Sequence, residues 1–312
     1  ACLAGVSLGV QAQQGYPNKP IRLVVPWGAG TPGDVAGRIL ADKMAAGLGQ
    51  PIVIENKPGA AGTIGLADVL RQPADGYTLY SLSSASLVAP LLYPTQNINF
   101  EKTMEPVAHV IWHYNVLVTP MNSRIKSVQD IVDMSKREPG ALTFASGGNG
   151  SPAHLAGELF TSQNKIDMTH VPYKGGNAHI MDLIGGRVPV IFDTATNCVP
   201  LLKSGKVRAL AVGAPARLAD FPNVPTFAEA GYPQFDFSAW YAVFAPAKTP
   251  KDVVAKLSTA LSTVLKNPDV VSKLNGVGVT PANGDAATLA KFLPGEHERI
   301  GRLIRTANIK PD

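Results

Sequence analysis

Cysteine is almost missing from this chain of 312 residues: there are two, Cys2 and Cys198. So isolated a pair builds no disulfide framework and no zinc site. Charge is scarce too, with 16% Asp, Glu, Lys and Arg against about 25% in ordinary globular domains. The 28 basic and 23 acidic residues leave +5 with no basic run, so the footprint of a nucleic-acid binder is lacking. A small positive surplus suits an anionic small molecule equally well. No stretch reaches the ~20 consecutive apolar residues of a membrane-spanning helix. Six histidines, at 109, 113, 154, 170, 179 and 297, follow no metal-ligand spacing, and no G-x-S-x-G elbow occurs. No metal, cofactor or catalytic constellation is expected.

What the chain does have is length and turns. At roughly 150 residues per domain it is long enough for two packed cores. Thirty Gly and 26 Pro within a 45% hydrophobic composition describe a turn-rich globular protein. Ala1 to Val10 is uncharged and apolar, and Val10-Gln11-Ala12 has the small-residue spacing of a signal-peptidase site. Residues 1–15 therefore read as the remnant of an export signal with its linker, and export from the cytoplasm is expected.

From Lys19 short β-branched runs alternate with helical periods. Strands are expected at Ile21–Val25, Pro51–Glu55 and Tyr77–Ser81, and helices at Asp34–Leu48 and Gly62–Arg71. A strand at Asn115–Thr119 ends in Pro120, after which the rhythm restarts with a helix at Ser127–Arg137 and a strand at Leu142–Ala145. A helix near Ser151–Ser162, strands around Met168–Val171, Val188–Phe192 and Val207–Val212, and a helix at Ala178–Ile184 follow. From Pro246 onward the pattern is helical, through Pro250–Leu265, Pro268–Leu274 and Ala286–Ile304. The class is α/β.

Two strand-to-helix loops use the same device. Ile21–Val25 runs into Pro-Trp-Gly-Ala-Gly and then Thr31-Pro32; Leu142–Ala145 runs into Ser-Gly-Gly-Asn-Gly and then Ser151-Pro152. A hydroxyl residue at the N-cap with Pro behind it starts a helix, because the side chain takes an orphan amide and Pro has none to offer. Thr31 with Asp34 approximates a capping box. Glycines expose backbone amides beside the positive helix end, so each loop is a candidate anion cradle, and two of them suggest a ligand held between lobes. Gly28–Gly33 also matches G-x-G-x-x-G, with Glu55 placed 22 residues on, which is the dinucleotide fingerprint of a nicotinamide-dependent dehydrogenase. Asp34 in the first turn would repel a pyrophosphate, and Pro32 removes an amide. Asp193, after Val190-Ile191-Phe192, stands at a strand end where ligands of α/β sheets gather, or caps a following turn.

Several stretches in one order resemble the tripartite tricarboxylate transporter substrate-binding proteins, or Bug receptors, from Tyr16 to the C-terminus. They include Pro20–Pro26, Gly49–Gly59, Pro73–Leu79, Gly148–Ser151 with His154–Phe160, His170–Gly176 and Pro222–Thr226 with Glu229–Gly231. The resemblance implies a two-lobed type II periplasmic binding protein, each lobe a mixed sheet flanked by helices, with the ligand in the interlobe cleft. Lobe 1 is then discontinuous, 16–118 plus 240–312, and lobe 2 is 119–239. It also implies no enzyme activity, a monomer, a small carboxylate ligand, and the permease subunits of a tripartite carrier as partners. A sensing role with a signalling partner shares the same fold and site.

Carried over by position, the binding residues are Trp27, Gly28, Ala29, Gly30, Thr31, Gly33 and Asp34 in the first loop. Ser83, Ser84 and Ser86 form a serine-rich loop, and Ser146, Gly148, Asn149, Gly150 and Ser151 the facing loop. Tyr173 to Gly175 and Asp193 line the cleft side. Departures from the family pattern bear on specificity. Gly33 stands for the usual Thr and Thr31 for the second Gly, while Trp112-His113-Tyr114 replace smaller residues. A wider, aromatic wall including His113 would favour an aromatic mono- or dicarboxylate, phthalate- or terephthalate-like. If Trp112 and Tyr114 are packing residues instead, an aliphatic di- or tricarboxylate fits equally.

Overall fold

The computed structural model describes residues 15–88, 90, 99–149, 151–173, 178–235 and 237–306. The expected leader, Gly150, Lys174 and Gly175 lie outside these, apart from Gly15.

The first half builds β1 (Ile21–Val25), α1 (Pro32–Leu48), β2 (Ile52–Asn56), α2 (Thr63–Leu70) and β3 (Thr78–Ser83). Strand β1 pairs in parallel with β2 and β3, as right-handed β–α–β crossovers require. A one-turn helix, α3 (Phe100–Thr103), capped by Asn99, leads into β4 (Met104–Pro120). Then come α4 (Val128–Arg137), β5 (Thr143–Ser146), α5 (Pro152–Asn164), β6 (Thr169–Pro172), α6 (Ala178–Ile184), β7 (Val190–Thr194), α7 (Ala195–Lys203) and β8 (Val207–Val212). The chain ends in β9 (Ser238–Pro246), α8 (Lys251–Leu265), α9 (Pro268–Gly276), β10 (Val279–Asp285) and α10 (Ala286–Thr306).

Strand β4 organises the rest. Its 17 residues, at about 3.3 Å each, span some 55 Å. From Met104 to Tyr114 it pairs antiparallel with β9, and β10 joins its other edge from Ala108 to His113. From Asn115 to Pro120 its partners are β7 and β8. Strands β5 and β6 extend the second group in parallel. Because β9 also pairs with β3, the chain that left along β4 returns at Ser238 to the sheet it started from.

Side chains follow this division. One apolar cluster joins α1, α8 and α9 to β1, through Leu40, Met44, Leu257, Leu261 and Leu274. A second lies under α6 and α7, around Ile180, Leu183, Ile191 and Cys198. A third runs through both strand groups, from Tyr80 and Trp240 to Phe144, Phe160 and Phe192. Helix α10 closes that cluster: the buried Trp240 donates its indole N–H to Glu296 (2.7 Å), which also holds Arg299 (2.6 Å), whose guanidinium reaches the Ser238 carbonyl.

Several expectations are corrected. Strand β4 starts eleven residues before Asn115, because Pro106 sits at a register shift, where its missing N–H costs no ladder bond. The C-terminal stretch is not all helix, since β10 adds to β4 despite its Thr-Pro-Ala-Asn-Gly sequence, with a shift between Pro281 and Gly284. Strand β9 and helix α7, with Pro200 inside it, were not anticipated. Thr31 is the N-cap of α1 but caps nothing: its hydroxyl donates to the Gly28 carbonyl (2.8 Å). The capping box is replaced by Asp34 accepting the Gly30 amide (2.9 Å). Ser151 does cap α5, accepting the His154 amide (3.3 Å), and Ser127 with Asp130 forms a full capping box on α4.

His109 and His113 are both buried on β4. A register shift falls between His109 and Ile111, so the two rings enter different surroundings. His109 stacks on Phe292 (5.1 Å) and His113 tilts over Tyr241 (5.3 Å). Burial lowers the His109 pKa to about 4 against the opposing charge of Glu296, and that of His113 to about 3. Both are neutral in the folded protein and titrate near 6.5 when unfolded. The unfolded chain therefore takes up protons first as the pH drops. Stability should be flat above pH 7 and fall below 6.5, by up to about 3 kcal/mol per pH unit for the two groups together. Urea unfolding at pH 7.5 and 5.0 checks this, and equal midpoints would contradict it.

Candidate functional site

Strand β1 delivers the first loop. Gly28, Ala29 and Gly30 are exposed, and Gly30 takes φ +83, a left-handed turn that glycine adopts without a Cβ penalty. Asp34, only 2% exposed, fixes this loop from beneath. Its carboxylate accepts the Gly30 amide, Arg38 Nε (3.1 Å) and Asn56 Nδ2 (3.0 Å), while Asn56 also donates to the Trp27 carbonyl (2.9 Å). Burial pushes the Asp34 pKa up, and these donors outweigh it, leaving the group below the usual carboxylate range. Asp34 is thus a brace of the loop, with its oxygens already engaged.

Gly33 has a different task. A Cβ there would fall 2.4 Å from the Tyr241 ring, and its amide bonds the buried Tyr241 hydroxyl. The first turn of α1 therefore rests on Tyr241, which in turn carries His113. Both ring nitrogens of His113 are buried without a partner among the described residues, as is the Trp27 indole nitrogen. Ser83, Ser84 and Ser86 are buried at the end of β3. Ser86 Oγ receives the Ser83 amide (3.4 Å), and Ser84 Oγ the Trp240 amide (3.4 Å).

The second loop leaves β5 at Ser146, whose hydroxyl pairs with His170 Nε2 (2.7 Å) and accepts the Gly148 amide (3.1 Å). His170 stacks on His154 at 3.9 Å; burial, helped by His154, lowers its pKa to about 4. Tyr173 is tied in through its amide to the Ser146 carbonyl (3.0 Å), and its hydroxyl donates to Asp182 (2.6 Å). Asn149 has a partner as well. Asp193 is buried at the end of β7 and saturated by His179 Nε2 (2.9 Å), the Thr194 amide (2.6 Å) and Asn197 Nδ2 (3.0 Å).

β4 connects the two loops. Two residues beyond His113, Asn115 donates through Nδ2 to the Pro152 carbonyl (3.0 Å) at the start of α5, leaving its Oδ1 buried and unpartnered. The structure thus groups Trp27–Asp34 with His113, and Ser146–Ser151 with Tyr173 and Asp193. Ser83 is the register partner of Tyr241 across β3 and β9, and Ser84 takes the Trp240 amide. Sequence reasoning missed Tyr241, Asn115, Asn56 and His179, whose roles come from tertiary neighbours.

Trp112 packs against His109 (4.6 Å) and Phe292 (5.5 Å), and Tyr114 is buried. The dinucleotide fingerprint fails because Asp34 takes the Gly30 amide and Glu55 is paired with Arg22 and Lys57 rather than open to a ribose. No group of three metal-ligating side chains occurs among the described residues.

A family model described as "Tripartite tricarboxylate transporter family receptor" matches residues 36–309. Protein BugT of Bordetella pertussis is 35% identical over 309 residues, covering 98% of this chain and 94% of BugT. Two solved structures superpose over their full length. Rpa4515 of R. palustris, with adipate, is 31% identical with a TM-score of 0.87 over 95% of this chain. MatC (Rpa3494) of Rhodopseudomonas palustris, with bound malate, is 32% identical with a TM-score of 0.81 over 93%. Such relatives are two-lobed periplasmic binding proteins that serve transport, not enzymes. With matches over nearly its whole length, the chain belongs to the tripartite tricarboxylate transporter receptor family.

Proposed function

We propose that this receptor captures a small carboxylate in the periplasm, between its two loops, and presents it as a closed monomer to the membrane subunits of its carrier. Lobe 1 comprises 16–118 plus 240–312 and lobe 2 residues 119–239. The exchange of β4's partners at Asn115 and the return of β9 support this division. The observation that carries the reading is a set of buried polar atoms without partners among the described residues: Trp27 Nε1, both nitrogens of His113, Asn115 Oδ1 and His179 Nδ1. Each such group costs about 1–3 kcal/mol until something bonds it. They belong to the two loop clusters and the strand between them, where a bridging ligand would satisfy several at once. Gly28 and Ala29 add exposed backbone amides at the first loop. A ligand that bonds both lobes favours the closed form by contacts the open form cannot make.

The adipate and malate bound by relatives support a carboxylate. An aromatic mono- or dicarboxylate is the finer reading, and its support is the half-buried ring of Trp27 at the first loop. Calorimetric titration with phthalate, terephthalate, adipate, malate, succinate and citrate tests both levels. At least one acid should bind with micromolar or better affinity. Binding confined to the aliphatic acids would remove the aromatic reading, and no binding across the set would contradict the receptor reading.

Gly30→Val offers a local check. The left-handed conformation costs a β-branched residue about 1–2 kcal/mol, while no neighbour lies within 4 Å of the added carbon. The variant should fold with a melting temperature within a few degrees of the parent and bind the best acid at least tenfold more weakly. Unchanged affinity would move the site away from the first loop.

A further inference from the structure

The two halves of the sheet are joined unequally on its two faces. Side chains alternate along each strand, and Trp240 of β9 and Phe192 of β7 fall on one face in a single apolar cluster that crosses from the first strand group to the second. Helix α10 packs against α5 on this side. On the other face the core is split. Tyr241 belongs to a cluster whose buried members, among the described residues, come from 21–111 and 241–279, and Ile191 to one whose buried members come from 116–221. Trp27 of the first loop packs with the former and Tyr173 with the latter.

Along β4 the split cores meet where β10 begins and β7 ends. Val279 is the register partner of His113 and Thr194 that of Asn115, so one more residue on either strand, Gly278 or Ala195, arrives at the level of Tyr114. The two meet backbone to backbone. A Cβ on the buried Gly278 would stand 2.7 Å from the Ala195 carbonyl carbon, 2.8 Å from the Thr196 amide nitrogen and 3.0 Å from the Ala195 carbonyl oxygen. These atoms form the first turn of α7, held by the Asn197 amide on Thr194 Oγ1 (3.3 Å) and by Asn197 Nδ2 on Asp193, so they cannot swing aside as the tip of a side chain would. We infer that Gly278 is a positioning residue for ligand capture: the lobes fold together about their shared core until the turn before β10 meets α7, and the missing side chain sets how far they close. The inference rests on the division into lobes and on the carboxylate reading of the cleft. A residue with a Cβ at 278 would hold the split faces apart, make the closed form rarer and weaken binding in proportion, without touching either loop.

Gly278 also ends α9 in the left-handed region, at φ +78, with its amide on the Asn275 carbonyl (2.8 Å). Asparagine tolerates that conformation yet carries a Cβ, so Gly278→Asn separates the two roles. Gly49 is the control: it ends α1 at φ +70, and nothing lies within 4 Å of an added carbon. Circular dichroism melts establish that both variants fold. Calorimetry with phthalate, terephthalate, adipate, malate, succinate and citrate identifies the tightest-binding acid, and X-ray scattering follows at saturation with it. Gly49→Asn should match the parent within about twofold in affinity, and Gly278→Asn should bind about tenfold more weakly or worse. Gly278→Asn should also keep a larger radius of gyration than the parent at saturation, a readout that lost helix capping would not move. In the parent, amide exchange at 194–197 and 275–279 should slow when the acid binds, a measurement that needs no variant. Parent-like affinity in Gly278→Asn, an equal loss in Gly49→Asn, or exchange at both segments indifferent to the acid would overturn the inference and leave the carboxylate reading standing. Failure of all six acids to bind the parent would overturn both.

Discussion

Everything in this molecule hangs on the hydrogen bonds of one strand. From Met104 to Pro120 the backbone is committed to β9 and β10 over its first part and to β7 and β8 over its last. A strand shared in this way cannot shift its register without breaking two ladders at once, because a one-residue slip would turn every side chain to the wrong face. It also places His113 and Asn115 at the exchange of partners.

From that constraint follows the manner in which the loops are held. The first is fixed from below by the carboxylate of Asp34 and from the side by Tyr241, which Gly33 alone lets approach α1 so closely. The second is fixed by Ser146, His170 and the capping hydroxyl of Ser151. Asp34, Tyr173 and Asp193, read from the sequence as ligand contacts, bond Arg38, Asp182 and Asn197. Among the described residues, Trp27, His113, Asn115 and His179 are some of those that keep buried polar atoms without a partner. Preorganisation of this kind limits what a ligand must order on binding.

Much of this was legible in the sequence, for local reasons. Strands β1 and β8 and helix α6 have the bounds that periodicity predicts, and the Ser151-Pro152 start is a helix cap as expected. Where the reading failed, a neighbour decided. Pro106 hid the first half of β4 because a bulge tolerates it, and β10 is a strand only because β4 offers an edge. Thr31 and Asp34 have the right spacing for a capping box, yet the tight turn at Gly30 brings its own amide to the carboxylate first. Trp112 reads from the sequence as either cleft wall or packing, and one ring it meets is Phe292 on α10, 180 residues downstream. Glycine and proline revealed where the loops are; which polar atoms remain free depends on packing that no local pattern encodes.

The central claim is that one ligand bonds both loops at once. Amide hydrogen exchange with and without the tightest-binding acid tests it most directly. Protection should rise together at 27–34 and 146–151, with β4, paired on both edges, expected to exchange slowly throughout. Protection confined to one loop, or appearing at neither while the acid is bound, would contradict the account.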